Sequence, residues 1–394
     1  MNKTLFCAIF ACIITLVGTN QSQAAGNNEQ ATIYGEEEAN AIPGRYIVVF
    51  RPGSASHKIS GAAHAAARFG GKVHYIYTNA LQGFTASLPE AALRGLRHNP
   101  NIEFIEVDQT VSIGIEGDES VSTWNLDRID QRSLPLDDTY LYNGTGMGVT
   151  AYIIDTGIRT SHTEFKGRAS IGFDAFNGNG NGNDCNGHGT HVAATVGGAT
   201  YGVAKDVSLV AVRVLDCAGS GSISGVIAGV DWVTGNKKIP AVANMSLGVG
   251  ASIALDNAVK TSIASGVTYA VAAGNSKKDA CNSSPARVPA VITVGATTKN
   301  DARASYSNYG ACLDLFAPGT SVTSAWNTSD TTSKTISGTS MATPNVTGVA
   351  ALYLQYYPTA SPANVALELT GNATFGVIKN AGRNSPNLLL YTNF

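Results

Sequence analysis

The sequence predicts an α/β protein with a doubly wound, mostly parallel sheet, preceded by a small α+β domain. Three observations predict this fold class. The 394 residues suffice for two or three domains. Hydrophobic residues make up 44% of the chain and charged residues only 14%, which excludes disorder and coiled coils. The spacing of apolar runs changes near residue 121, so two segments with different folds are expected.

The first 25 residues have the pattern of a secretory signal peptide. Lys3 supplies the positive end, residues 5–17 are almost wholly apolar, and small residues follow at Ala24 and Ala25. This apolar stretch is too short to span a bilayer, which takes about 20 residues. We expect cleavage near Ala24 or Ala25 and export of the remainder, with a lipoprotein acylated at Cys12 as the alternative.

The next segment predicts the small domain. It is polar to residue 40 and is expected to be unstructured there, with order beginning at Tyr46. Strand, helix, strand, strand, helix and strand patterns then follow at residues 46–50, 54–69, 72–77, 83–88, 89–98 and 102–107. This β-α-β-β-α-β order is typical of a ferredoxin-like domain. The charged stretch 114–122 is expected to be a solvated linker.

The rest of the chain predicts the large sheet. Continuous apolar runs of strand length lie at residues 149–154, 207–215, 242–246, 267–272, 291–294 and 313–316. Segments of helix length, such as residues 252–265, separate them. Such strands are typical of a parallel sheet covered on both faces. Ligands of these sheets bind at the carboxyl ends of the strands, where we expect the chemistry.

The charge balance bears on the partners of the protein. The chain has 26 basic and 28 acidic residues, a net charge of -2, and no basic stripe. Nucleic acid and anionic membrane surfaces are therefore not expected to bind it.

Four cysteines remain once Cys7 and Cys12 leave with the signal peptide: Cys185, Cys217, Cys281 and Cys312. An even number in an exported chain suggests two disulfides, and three pairings are possible. Two local pairs, Cys185 with Cys217 and Cys281 with Cys312, would close similar loops of 32 and 31 residues, and each bond would add roughly 3 to 4 kcal/mol by loop entropy. Four buried free thiols are the alternative.

Three residues stand where a hydrolase would place them. Asp155 ends an apolar run, and His188 in NGHGTHVAATVGG and Ser340 in SGTSMATP each enter an apolar helix. Each position alone is ordinary, because such residues often act as caps. Together they offer a hydroxyl, a base with an unperturbed pKa near 6.5 and a buried acid. Their chain order of Asp, His and Ser is the order of the subtilisin triad.

The motifs around these residues resemble those of the subtilase family of secreted serine endopeptidases, and most of all its proteinase K and aqualysin-like branch. The resemblance rests on DTG at 155–157, HGTHVA at 188–193, NMSLG at 244–248, AAGNS at 272–276 and GTSMATP at 338–344. The preceding segment resembles the inhibitor-type propeptide of that family, from RYIVVF at 45–50 through FIEVDQ at 104–109.

The resemblance implies a subtilisin-like fold and a role for each matching residue. Ser340 would be the nucleophile, His188 the general base, Asp155 the residue that orients the imidazole, and Asn275 a donor to the oxyanion. Two extended segments would hold the substrate: Gly219, Ser220 and Gly221, and Ser246, Leu247 and Gly248. A third segment, Ala272, Ala273 and Gly274, would line the pocket for the residue before the scissile bond. These linings imply a broad preference for apolar or aromatic side chains there.

The resemblance also implies a self-processing precursor that acts on proteins and peptides as a monomer. We expect a signal peptide at 1–25, a propeptide at 26–118 with a folded part of about 45–110, and a peptidase domain at 119–394. The propeptide would act as chaperone and inhibitor, and its tail at 108–117 would lie in the cleft. Self-cleavage is expected between residues 112 and 122.

An acidic loop suggests structural calcium, and no organic cofactor is expected. Oxygen donors are crowded in DRIDQRSLPLDD, where few cations can pair with them, and calcium prefers such ligands. This set is Asp127, Asp130, Gln131 and Asp137, at a position where aqualysin-like relatives bind calcium. The resemblance adds a site at Pro289, Val291 and Asp314 and a partial one at Asp174 and Asn179. An empty acidic turn is the alternative.

Three residues depart from the usual pattern of the family, with Asn125, Thr139 and Asn345 in place of Gly, Asn and His. None of them belongs to the expected triad, so we expect them to affect local packing and metal affinity rather than chemistry.

Three rival functions compete with a serine endopeptidase. His188 and His191 are spaced to share a zinc ion, but no third ligand is evident. An inactive peptide-binding relative is disfavoured because all four residues of the expected catalytic site are present. An esterase would need a G-x-S-x-G turn, whereas Ser340 lies in G-T-S-M-A.

Overall fold

The computed structural model describes residues 30–114, 116–118, 123–176 and 182–394. The predicted signal peptide and Asn179 lie outside the described residues, as do residues 115 and 119–122 of the predicted linker.

The small domain has the predicted element order, preceded by one further strand. Its elements are β1 (Thr32–Tyr34), β2 (Ala41–Phe50), α1 (Ser56–Arg68), β3 (Lys72–Tyr77), β4 (Gly83–Ser87), α2 (Glu90–Arg97) and β5 (Ile102–Ser112). The sheet order is β1-β5-β2-β4-β3. Both helices cover one face, where Val48, Phe50, Ile59, Phe84 and Ile105 are buried. A mixed sheet with two helices on one face confirms the ferredoxin-like α+β domain.

The ordered part of this domain is longer than the predicted 45–110. Strand β1 pairs in parallel with residues 104–106 of β5, although residues 26–40 were expected to be unstructured. Strand β2 begins at Ala41, and β5 extends to Ser112. Strand β1 has only three residues, which are too few to show a periodicity in sequence. Its strand conformation depends on hydrogen bonds to the edge of β5.

The remaining elements follow in chain order: β6 (Glu116–Asp118), α3 (Trp124–Ile129), β7 (Thr150–Asp155), β8 (Ala169–Asp174), α4 (His188–Gly197), β9 (Ser208–Arg213), β10 (Ser220–Ser222), α5 (Ile223–Asn236), β11 (Ala241–Met245), α6 (Ile253–Ala264), β12 (Val267–Ala272), β13 (Ile292–Thr297), β14 (Leu315–Pro318), β15 (Val322–Ala325), β16 (Ser333–Ser337), α7 (Thr339–Tyr356), α8 (Pro362–Asn372), β17 (Thr374–Phe375) and β18 (Leu388–Leu389).

The large sheet confirms the doubly wound α/β prediction. Nine strands lie in the order β17-β18-β14-β13-β12-β11-β7-β9-β8, and every pair is parallel except β17 with β18. The order reverses direction at β7, so helices cover both faces: α4 and α7 pack on one, α5 and α6 on the other. The central strands are buried along their whole length, which is why they read as continuous apolar runs.

Two short antiparallel pairings join the small domain to the large one. Residues 110–112 of β5 pair with β10, and β6 pairs with β16. The described part of the predicted linker is therefore paired backbone rather than solvated chain.

The cysteines form the two local pairs. Cys185 is bonded to Cys217, and Cys281 to Cys312. The prediction of two disulfides is confirmed, and free thiols at these positions are excluded. No helix among the described residues combines the length and apolarity needed to cross a membrane.

Candidate active site

Asp155 and His188 are in direct contact at the carboxyl edge of the large sheet. Asp155 is the last residue of β7, and His188 is the first residue of α4. The carboxylate oxygens lie 2.8 and 3.0 Å from Nδ1 of the ring, and both side chains are fully buried. Nε2 of His188 has no hydrogen-bond partner among the described residues, so the ring has its second nitrogen available.

Glycines let the helix approach the strand this closely. A Cβ on Gly189 would stand 2.2 Å from the carbonyl oxygen of Gly157, and a Cβ on Gly187 would stand 2.3 Å from the ring of Trp326. Gly187, which precedes α4, also has a φ of 116°. A side chain at either position would force these neighbours or the start of α4, where His188 lies, to shift.

Asp184 is a buried positioning residue that the sequence analysis missed. One carboxylate oxygen accepts hydrogen bonds from Thr156 Oγ1 and from the amides of Asn186 and Gly187, at 2.8–2.9 Å. The other accepts from the amide and hydroxyl of Thr190. Burial raises the pKa of Asp184, and these hydrogen bonds oppose the rise. The carboxylate thus ties the start of α4 to the end of β7, although the only signal in sequence is an Asp three residues before a helix-capping Gly.

Ser340 lies in the first turn of α7, where its hydroxyl donates to the carbonyl of Ser246 at 3.0 Å. Ser246 Oγ in turn donates to the carbonyl of Ser340 at 2.8 Å, which joins α7 to the end of β11. The structure therefore forms the carboxylate–imidazole contact of the expected series, but the hydroxyl is directed to Ser246 rather than to the ring. Catalytic hydrogen bonds are often absent or long until a substrate is bound.

Asn275 is fixed beside the start of α7 by two hydrogen bonds to its side-chain oxygen. The amide and hydroxyl of Thr339 donate to Oδ1 at 2.9 and 2.8 Å. This leaves Nδ2 to donate to the carbonyl of Gly114 at 3.0 Å. Asn275 thus presents an amide donor to a peptide carbonyl of the preceding domain.

The predicted substrate segments line a groove that this chain itself occupies. Gly219, Ser220 and Gly221 lie beside the end of β5, and the amide of Ile113 donates to the carbonyl of Gly219 at 3.1 Å. A cavity of about 520 Å³ opens next to it. Its walls include the remaining predicted residues, namely Ser246, Leu247, Gly248, Ala272, Ala273 and Gly274, together with Asn275 and Ser340.

The predicted calcium residues share one loop but do not form a closed cage. Asp127 accepts hydrogen bonds from the amides of Asp137 and Asp138, and Asp130 accepts from Leu141. Burial and neighbouring carboxylates raise the pKa of Asp127 and Asp130. Gln131 donates its amide to the carbonyls of Ser133 and Pro135. No group of three or more His, Cys, Asp or Glu residues is arranged for a metal within the described ranges.

At the second predicted calcium position, Asp314 accepts a hydrogen bond from the amide of Thr293 at 2.7 Å. Burial raises the pKa of Asp314 to about 6. Val291 is buried just before β13, and Pro289 is exposed. Asp174, from the predicted partial site, instead faces Arg213 at 3.4 Å.

Comparisons with known proteins assign the class of protein. Residues 146–388 match the Subtilase family, and residues 45–114 match Peptidase inhibitor I9. The first match covers more than half of the chain, and the chain belongs to the subtilase family. It is a serine endopeptidase preceded by an inhibitor-type propeptide domain.

Individual relatives share most of the chain. An extracellular serine proteinase of Thermus sp. (strain Rt41A) is 55% identical over 97% of both chains. Alkaline serine exoprotease A of Vibrio alginolyticus is 49% identical over 94% of this chain and 71% of its own, and Proteinase R of Parengyodontium album is 42% identical over 91% of each. A cold-adapted subtilisin-like serine proteinase of known crystal structure is 56% identical, with a TM-score of 0.68 over 70% of this chain and all of its own.

Proposed function

We propose that Ser340, His188, Asp155 and Asn275 form the catalytic site of this endopeptidase. The main support is the peptide carbonyl of Gly114, which accepts a hydrogen bond from the side-chain amide of Asn275 beside the start of α7. A carbonyl in that position is where an oxyanion would develop.

The chemistry follows from these contacts. Asp155 holds Nδ1 of His188 as the protonated nitrogen and leaves Nε2 as the base. The hydroxyl of Ser340 turns from Ser246 to Nε2, gives up its proton and attacks the peptide carbonyl. The oxyanion then accepts hydrogen bonds from Asn275 Nδ2 and from the amide of Ser340. His188 passes the proton to the leaving amine, and water hydrolyses the ester by the reverse steps.

A serine-directed phosphonylating reagent tests this assignment on the processed enzyme. We expect complete loss of casein hydrolysis, with one phosphonyl group on the peptide that contains Ser340, located by mass spectrometry. Labelling of another serine with loss of activity would contradict the assignment.

The contacts of His191 disfavour the zinc hypothesis. Its Nε2 is hydrogen-bonded to the carbonyls of Val322 and Lys334, and burial lowers its pKa to about 3.

The apolar part of the wall of the 520 Å³ cavity favours aliphatic or aromatic residues before the scissile bond. Leu247, Ala272 and Ala273 are buried there. Because burying an aliphatic side chain contributes about 1.5–3 kcal/mol, such residues bind better than small or charged ones.

The propeptide domain fits the role of an intramolecular inhibitor. Glu106 accepts hydrogen bonds at the start of α6, from Ser252 Oγ and the amides of Ile253 and Ala254. Asp108 accepts from the amide and hydroxyl of Ser224 at the start of α5. Carboxylates at helix N-termini satisfy free amides and match the helix dipole.

A third contact runs in the opposite direction. Asp231 of α5 accepts hydrogen bonds from the amides of residues 78–80 in the propeptide domain, at 2.6–3.2 Å. These contacts support a propeptide domain that stays bound to the peptidase domain, within the proposed division into a signal at 1–25, a propeptide at 26–118 and a peptidase domain at 119–394. The signal-like sequence and the extracellular Thermus relative support export. The protein would act on proteins and peptides as a monomer, and the near-neutral charge favours neither nucleic acid nor an anionic membrane as a partner.

Structural calcium fits the loop that begins at α3. No ion pair among the described residues involves Asp127, Asp130 or Asp137. Burial raises the pKa of Asp127 and Asp130, so a cation bound beside them would offset the cost of their negative charge. Carboxylates that lack a cationic partner, together with the amide oxygen of Gln131, suit a hard cation. Asp314, with the carbonyls of Pro289 and Val291, is the second candidate.

Calcium should therefore raise thermal stability. At a concentration a hundredfold above Kd, we expect the Tm of the Ser340→Ala protein, which cannot digest itself, to rise by about 5–10 °C. In Asp127→Asn most of this rise should disappear, whereas the exposed control Asp206→Asn should keep it. A Tm that calcium leaves unchanged in the parent protein would refute the proposal.

A further inference from the structure

The polypeptide crosses the cleft on both sides of Gly114. Before it, residues 110–112 pair antiparallel with β10, and Ile113 donates to Gly219. After it, the backbone of β6 pairs antiparallel with β16, which leads directly into α7 and Ser340. Gly114 therefore lies between the two paired segments, where the chain passes the start of α7.

The contacts of the Gly114 carbonyl indicate which peptide bond is placed for cleavage. Its oxygen lies 3.0 Å from Asn275 Nδ2 and 3.5 Å from the place where a Cβ on Gly338 would stand, next to the amide of Ser340. In acyl transfer, the carbonyl on the oxyanion donors belongs to the residue before the cut. The bond presented for cleavage is the one that follows Gly114.

The side-chain pocket beside this bond is empty because residue 114 is glycine. Gly114 borders the 520 Å³ cavity, and a Cβ built on it would meet a single atom within 4 Å, Asn275 Nδ2 at 3.8 Å. Gly114 is also not among the glycines with positive φ. The backbone therefore accepts a Cβ here, and a larger side chain would extend into the cavity that Gly114 borders.

The rest of the propeptide domain is held without that pocket. Ile113 packs against Gly219, and Glu106, Asp108 and Asp231 make the polar contacts described above. The end of the tail is thus the part of the domain that gains least from the cleft.

We propose that the peptidase cuts its own chain after Gly114, and that glycine at this position keeps the cut tail from competing with substrates that fill the pocket. The proposal rests on the proposed function. Ser340 Oγ bonds to the carbonyl carbon of Gly114 as the bond to the nitrogen of residue 115 breaks, and His188 moves the hydroxyl proton to the leaving amine. Water then releases Ser340 and leaves a carboxylate on Gly114.

The first test is the mass of the propeptide released from the full chain immediately after processing. We expect a carboxyl terminus at Gly114. A first cut at another bond would overturn this inference while the proposed function stands, and no self-cleavage at all would overturn the proposed function as well.

The second test compares Gly114→Leu, Gly114→Ala and the unchanged chain. Each precursor is allowed to cut itself, the complex is diluted, and recovery of activity is measured on a short peptide with an apolar residue before the scissile bond. We expect Leu to lower the dissociation constant of the propeptide by about 10- to 100-fold, with Ala between Leu and Gly.

Gly95→Leu is the matched control, because Gly95 is exposed on α2 and a Cβ there would meet nothing within 4 Å. It should leave the dissociation constant within about twofold of the unchanged chain. Equal constants for Gly, Ala and Leu at position 114 would overturn the proposal. If the Leu variant does not fold, the comparison of Ala with Gly still decides it, since no change with Ala would count against an open pocket.

Discussion

The Ser340→Ala precursor is expected to stay uncut and to hydrolyse casein about 10⁶-fold more slowly than the processed enzyme, a magnitude known for triads of this family. The physical reason is that the variant loses the only nucleophile of the proposed mechanism, while the amide of Asn275 and Nε2 of His188 remain in place. The measurement is gel analysis of the expressed chain together with casein hydrolysis. The first shows processing, and the second shows turnover.

The matched control is Ser170→Ala, which removes an exposed hydroxyl on β8. It should be processed normally and keep full activity. Efficient processing of Ser340→Ala on its own, in a host free of other proteases, would contradict self-cleavage. Residual casein hydrolysis within tenfold of the parent would contradict the assignment of the nucleophile.

Asp155→Asn is expected to lower kcat by about 10⁴ with little change in KM. The asparagine has the same shape, but its amide can donate to Nδ1 and so favour the wrong tautomer of His188. The 2.8 and 3.0 Å contacts show that nothing separates the two side chains, so the tautomer of His188 depends directly on this carboxylate. Steady-state kinetics on a short peptide substrate measures the effect.

Asp206→Asn serves as its control, because Asp206 is exposed in a loop remote from the ring. Its kcat should stay within about twofold of the parent value. A kcat for Asp155→Asn within tenfold of the parent would show that His188 does not need this carboxylate, and the proposed triad would be wrong.

Much of the fold could be predicted because its signals are local. The apolar run at 149–154 became β7, the run at 267–272 became β12, and the segment 252–265 became α6 with Ser252 as its cap. Each pattern reflects burial of one short segment against the same core. Strand β8 was missed because only Asp174 of its six residues is buried and its apolar pattern is weak.

Contacts between distant residues were outside the reach of such patterns. Asn125 and Asn345 each depart from the family, and they meet in the core: Asn125 Nδ2 donates to Asn345 Oδ1 at 2.9 Å. Both side chains are buried. The two departures, 220 residues apart, form one hydrogen-bonded pair, which neither motif indicates alone.

The sequence by itself determined the two-domain organisation, the central strands and the residue types available for catalysis, because periodic burial and short motifs are properties of neighbouring residues. Only the tertiary structure decided three hydrogen bonds. Asp184 accepts from the start of α4, the hydroxyl of Ser340 donates to the carbonyl of Ser246, and the carbonyl of Gly114 accepts from the amide of Asn275. These contacts join segments that the sheet and helices bring together, and their distances depend on how the whole core packs.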